Sequence, residues 1–333
     1  MRNVVAILML GLVACTTVAD NPSTTRGASS TNAPDPGSTT TTATRVTTGW
    51  VEVAPMAVAR SEHPGVMLDG EVVILGGFTE VGLGRSGVTS GVEAYSPDDD
   101  AWHELPDLPE PRHHGMAAVV EDRLFMIGGY SESGEPSITV WELADAQWVE
   151  RAPLPGPMAA AASAVVDDSI YVVGGVPDSI LYRYDPGADS WTVLPPPEQQ
   201  REHVAVVALD GQVWAIAGRW TGGILDSTEV FDPETGTWRP GPALNEARSG
   251  FGAAVVGGQI LAVGGEVFSP DTALDSVELY DPGSGLWSQL DPLPQGLHGH
   301  PLVAIGTDVY LPGGSTRAAG IENDGRTYRL SFG

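Results

Sequence analysis

Two residue markers recur along this chain with one shared, variable period, and that coincidence limits the fold more than any other feature. Strand-like apolar segments end in a glycine pair at Gly76-Gly77, Gly128-Gly129, Gly174-Gly175, Gly264-Gly265 and Gly313-Gly314, with Ala217-Gly218 where another is due. The first positions are separated by 52, 46, 43, 47 and 49 residues. Trp50, Trp102, Trp148, Trp191, Trp238 and Trp287 are separated by the same five numbers. Self-similarity of this length is the signature of stacked units that share a core.

Each unit has the same grammar. An apolar strand such as residues 116–120 leads through a turn, Glu121-Asp122, into a second strand, residues 124–127, that runs into the glycines. A half-polar strand follows (residues 277–280 in the fifth unit), then Asp281-Pro282, then the tryptophan strand. Four short strands per unit describe a propeller blade, and six units a six-bladed all-β propeller. The 42 glycines and 27 prolines among 333 residues agree with so many turns. A double glycine closing the second strand, Tyr or Phe followed by Asp on the third and Trp on the fourth resemble the kelch repeat over residues 49–333. Residues 326–330 have no trailing tryptophan strand, whereas residues 50–53 are a lone one. The N-terminal strand is therefore expected to complete the last blade and cover its edge.

The first 48 residues are of another kind. Met1-Arg2-Asn3 precedes an apolar stretch from Val4 to Val13, which is long enough for a signal peptide and too short to span a bilayer. Leu12-Val13-Ala14-Cys15 resembles the lipobox of bacterial lipoproteins, which implies cleavage after residue 14 and a lipid on Cys15, the sole cysteine. Residues 15–48, with twelve threonines and four serines after the cysteine, read as a disordered tether. The expected address is the outer face of a bacterial cell membrane, held by the lipid alone. A formal charge of −27, with no lysine in the chain, weighs against nucleic acid as a partner.

In a propeller, residues just before the first strand and just after the glycine pair gather at one mouth of the central channel. Sixteen residues before each first glycine position stand Arg60, Arg112, Met158, Arg201, Arg248 and Leu297. Those arginines are either braces between blades, as the kelch resemblance implies, or anion ligands. Fourteen before stand Glu62, His114, Ala160, His203, Gly250 and Gly299, with His63, His113, His298 and His300 beside them. Past the glycines come Arg219, Trp220 and Glu266. These residues make the candidate ligand-binding mouth: Arg60, Glu62, Arg112, His113, His114, Arg201, His203, Arg219, Trp220, Arg248, Glu266, His298 and His300. His298-Gly299-His300 could give two imidazoles to a metal with His114 or His203, but that needs the third ligand to converge from another blade, and no metal and no cofactor is assigned.

The residues favour a surface-anchored binding module for a protein, peptide or glycan, and lean against catalysis. The alternative is a carbohydrate-modifying enzyme that resembles the sialic acid mutarotases (N-acetylneuraminate epimerases). That resemblance implies acid–base work by Glu62, His114 or Glu266 and carboxylate binding by Arg219 or Arg248. A copper enzyme of the galactose-oxidase kind needs a cysteine cross-linked to tyrosine, and Cys15 lies far from the ring.

Overall fold

Runs such as Val72-Val73-Ile74-Leu75 are too short for a helix and rich in β-branched residues, and turn residues close each of them. They settle as strands covered on both faces, here with 0–1% exposure. The computed structural model describes residues 49–79, 87–221 and 223–333. The signal peptide (1–14), Cys15 and the tether (15–48) read from the sequence lie outside the described residues.

Six four-stranded antiparallel sheets follow one another around a ring. Blade 1 comprises Gly65–Leu68, Glu71–Leu75, Val92–Ser96 and Ala101–Leu105, and blade 2 Met116–Val120, Arg123–Ile127, Val140–Ala144 and Gln147–Glu150. Blade 3 is Ala159–Val166, Ser169–Val176, Ile180–Asp185 and Ser190–Leu194, and blade 4 Ala205–Leu209, Gln212–Trp220, Gly223–Asp232 and Thr237–Gly241. Blade 5 is Gly252–Val256, Gln259–Val263, Val277–Asp281 and Leu286–Gln289, with a small ribbon, Glu266–Phe268 against Asp271–Ala273, in its outer loop. Blade 6 takes Val303–Ile305, Asp308–Pro312 and Thr327–Ser331 from the end of the chain and Val51–Val53 from its start. Val51, Glu52 and Val53 lie opposite Arg329, Tyr328 and Thr327, the closure expected from the strand count.

The first strand of each blade touches that of the next, and blade 6 returns to blade 1, so the ring is closed around a channel. The core is six slabs rather than one mass, each between two neighbouring blades. The tryptophans stand at these seams. Of the six that mark the repeat, all but Trp287 are only half-buried, and five reach back through the indole N–H: Trp102 to Ala54 O, Trp148 to Pro106 O, Trp191 to Ala152 O, Trp238 to Pro195 O and Trp287 to Pro242 O, at 2.8–3.0 Å. Among the described residues no helix is long and apolar enough to cross a membrane.

Candidate functional site

Close backbone packing explains the glycine pairs and builds the channel mouth. A Cβ on Gly76 would lie 2.3 Å from the Arg112 carbonyl of the next blade, and one on Gly77 2.6 Å from the Ser61 carbonyl. Just beyond the pair, Phe78, Tyr130, Val176, Arg219, Glu266 and Ser315 bridge to Ser61, His113, Ala159, Glu202, Ser249 and His298. The residues that follow these partners, Glu62, His114, Ala160, His203, Gly250 and Gly299, all adopt φ between +48° and +66°. Each donates its N–H to the carbonyl of its counterpart in a neighbouring blade: Glu62 to Gly299, His114 to Glu62, Ala160 to His114, His203 to Ala160, Gly250 to His203 and Gly299 to Gly250, at 2.6–3.0 Å. A closed belt of six backbone hydrogen bonds thus rims the mouth. Four of its members carry a Cβ in a conformation that costs an L-residue about 1–2 kcal/mol.

Inside the belt is a cavity of about 290 Å³, lined by Glu62, His63, His114, His203 and His300 together with apolar residues of the first strands of blades 1–5 and Pro301 and Leu302 just before that of blade 6. Glu62, His114 and His203 converge, with one ligand-competent atom from each within 4.8 Å of the others. Glu62 Oε2 lies 3.1 Å from His114 Nε2. The His114 and His203 rings meet edge to face at 4.8 Å. His203 Nδ1 is hydrogen-bonded to Glu202, and His114 Nδ1 lies 2.5 Å from His113 Nδ1. The other ring nitrogen, Nε2, meets Glu62 in His114 and Arg219 in His203.

Behind the cavity, carboxylates and cations alternate. Arg219 donates to Glu202 at 2.6 Å and to Glu266 at 2.8 Å, and its remaining nitrogen lies 3.2 Å from His203 Nε2. His298 stands between Glu62 (3.5 Å) and Glu266 (3.6 Å) and gives its Nε2–H to the Arg317 carbonyl at 2.7 Å. Burial opposes charge on His298, but the two carboxylates and that carbonyl outweigh it and lift its pKa to about 9. Burial likewise opposes charge on Glu62, and the imidazoles of His114, His298 and His203 overcome it, holding the carboxyl well below its usual range. Glu202, also against burial, is drawn to about 2 by His203 and Arg219. His114 moves the other way: burial, with His203, His113 and Arg219 adding to it, overrides the pull of Glu62 and lowers it to about 3. The mouth therefore holds a neutral imidazole against a charged carboxylate.

The arginines expected at the mouth stand behind it. Arg60, Arg201 and Arg248 are 0–2% exposed, bridge carbonyls past the glycine position, and end on third-strand carboxylates: Glu93 at 2.5 Å, Glu229 at 2.6 Å and Glu278 at 2.8 Å. Arg112, equally buried, reaches Glu110 and Ser137 and lies 4.8 Å over Trp141. The reason is register. Trp141 faces Met126 as Glu93 faces Ile74, so it occupies the glutamate's place, and the blades without arginine pair Met158 with Tyr182 and Leu297 with Tyr328 there. These four are braces, not anion ligands. Trp220 ends a hairpin opposite Gly223 and does not line the cavity. Glu266 and Arg219 are committed to each other, and His113 packs between Phe78 and Tyr130. His298 and His300 do not share a target, since His300 Nδ1 turns to the Pro301 carbonyl at 3.2 Å. Glu202 was missed, although its place fifteen before Ala217, bridging to Arg219, is readable from the spacing.

The Kelch motif model matches residues 59–109, 157–198, 200–245 and 247–294, more than half of the chain. Kelch-like protein 35 of Homo sapiens is 40% identical over 212 residues, covering 62% of this chain and 35% of that protein. Kelch-like protein 33 of Homo sapiens is 32% identical over 169 residues, 49% of this chain and 24% of that protein. The matched region is thus only a quarter to a third of those relatives' length. The solved structure of YjhT superposes with a TM-score of 0.68 at 17% identity, covering 84% of this chain and 95% of that one, which shows the shared fold. The leaning against catalysis is corrected here by the clustered Glu62, His114 and His203, acid–base groups with atoms within 4.8 Å of one another at the mouth. With the repeat, the six blades and the family match in agreement, the chain belongs to the kelch family.

Proposed function

We propose that this chain is a carbohydrate-modifying enzyme of the mutarotase or epimerase kind, with the channel mouth as its active site. The observation that carries the reading is the Glu62–His114 pair, 3.1 Å apart at the rim of the cavity. Anomer exchange takes a proton from the anomeric hydroxyl while the C1–O5 bond breaks and its electron pair goes to O5. Glu62 accepts that proton, the neutral His114 gives its N–H proton to O5, and the proton on Glu62 passes back to His114 across the 3.1 Å between them, so that the open-chain sugar and both side chains end in their starting charge states. Ring closure on the other face of C1 reverses these steps. A volume of about 290 Å³ sits at the small end of the roughly 300–1,000 Å³ typical of ligand sites, which suits a single sugar ring.

The charges favour an uncharged sugar over a sugar acid. Arg248 is fully buried on Glu278, and Arg219 is shared between two carboxylates, so neither offers a free guanidinium to a substrate carboxylate. The test is anomer exchange followed by NMR for a panel of free neutral sugars, amino sugars and sialic acid. Acceleration that Glu62→Gln abolishes without lowering Tm is expected. No acceleration for any sugar would return the mouth to the binding-module reading. A lipid on Cys15 would present this mouth to sugars outside the cell; loss of lipid labelling in Cys15→Ala tests that address.

A further inference from the structure

We propose that Glu62, His114 and His203 hold a divalent transition-metal ion, with open coordination positions facing the channel cavity. Two imidazoles and one carboxylate are a donor set for zinc or ferrous iron; magnesium and calcium prefer oxygen donors alone. Tetrahedral ligands about 2.0–2.1 Å from an ion lie about 3.3 Å apart. The Glu62–His114 pair already stands at 3.1 Å, and the whole trio lies within 4.8 Å, so closing on an ion needs only side-chain movement of about an ångström.

Three further features fit. Each histidine has its Nδ1 held from behind, by Glu202 for His203 and by His113 for His114, the arrangement that orients an imidazole toward a metal. The local charge also favours a cation, since three carboxylates, Glu62, Glu202 and Glu266, stand around a single arginine, Arg219. And the backbone at all three ligands carries a positive φ, which fixes where each side chain leaves the belt. Arg219 opposes the ion, because its Nη2 lies 3.2 Å from His203 Nε2. It is anchored at its other two nitrogens by Glu202 and Glu266, so binding displaces one hydrogen bond and leaves those ion pairs in place. An ion here would engage Glu62 and His114 directly, so occupancy and metal-free proton transfer exclude one another; the test reads the ion alone, without sugar.

The repeat itself supplies benign variants. Blades 5 and 6 carry glycine at this belt position, so Glu62→Gly, His114→Gly and His203→Gly place in one blade what two others already have. The full chain, stripped with a chelator, is titrated with Co²⁺ by visible absorption and with Zn²⁺ by calorimetry, and circular dichroism checks each variant's fold. One equivalent is expected to bind, each glycine variant weakening it at least about 10-fold and Glu202→Gln about 10–100-fold. Binding that survives all three glycine substitutions, or none tighter than about millimolar in the folded wild type, overturns the proposal.

Discussion

Replacing Arg201 separates a brace from a ligand. Its guanidinium is fully buried, donates to Ala217 O at 2.8 Å, Ser227 O at 2.9 Å and Glu229 Oε2 at 2.6 Å, and its Glu229 partner also accepts the N–H groups of Glu198 and Gln199 at 2.7 and 3.2 Å. Arg201→Met leaves Glu229 as an uncompensated charge and two carbonyls without donors. Breaking one side of such a pair costs about 3–5 kcal/mol. In a propeller of this size that lowers Tm by about 10 °C. Blade 3 shows the remedy, since Met158 and Tyr182 fill the same two places there. Arg201→Met with Glu229→Tyr should recover all but about 1–2 kcal/mol, the residue of the unsatisfied Glu198 and Gln199 amides. Urea unfolding of the wild type, both single variants and the double variant gives the coupling energy, expected at about 4–9 kcal/mol because each single variant alone strands one buried charge. A single variant within about 1 kcal/mol of wild type, or a double variant no better than the single, refutes the brace. So does loss of ligand binding at the mouth before any loss of stability.

Ala160→Gly should stabilise the protein by about 0.5–1 kcal/mol, because Ala160 sits at φ +56° and its belt hydrogen bonds are backbone ones that glycine keeps; a lower Tm would show that the belt does not strain its L-residues. Trp191→Phe should cost about 1 kcal/mol through the lost bond to Ala152 O, measured by urea unfolding, and no change would reduce the indole N–H to decoration. His300 is held at about 4 rather than 6.5, chiefly by burial, with His298 adding to it against the Pro301 and Leu297 carbonyls. It is neutral in the fold and takes up its proton on unfolding, so its share of stability is intact above pH 6.5 and falls away as pH drops toward 4. Between pH 7 and 5 the unfolding free energy should lose about 2 kcal/mol more in the wild type than in His300→Asn, and equal losses would show that His300 titrates normally.

The blade count and the closing strand were both legible because each depends on a marker whose spacing repeats. Gly76 and Trp102 report their surroundings through steric need and size, and six copies of one need cannot arise by composition alone. The direction of a side chain carries no such marker. Arg201 and His203 are two residues apart and both sit before the same strand, yet one turns into the blade seam and the other to the cavity. What decides between them is the positive φ of His203 itself, +48°, which reverses the chain for a single residue. Histidine and glutamate at such a position give no hint in the sequence, whereas Gly250 and Gly299 do, and they could have been read back onto Glu62, His114 and His203. The brace was legible in the same way: arginine goes with glutamate in blades 1, 4 and 5, and a shorter apolar residue goes with tyrosine in blades 3 and 6.

The belt separates what the fold needs from what the mouth does. Its six hydrogen bonds use only backbone, and Gly250 and Gly299 make theirs without a side chain. Nothing in the ring's architecture therefore asks for a side chain at the other four places, and each one there costs stability. Ala160 carries the minimum. Glu62, His114 and His203 carry large polar groups into a buried space, and they do so in contact with each other, with Glu202 and His113 holding the imidazoles from behind. Three independent blades each bear that cost at the one height where their side chains can meet. A structural role cannot account for this, because the glycine blades are the structural optimum in the same molecule. What remains is a role that needs all three groups at one point, and a bound ion or a substrate oxygen is the kind of object that supplies it.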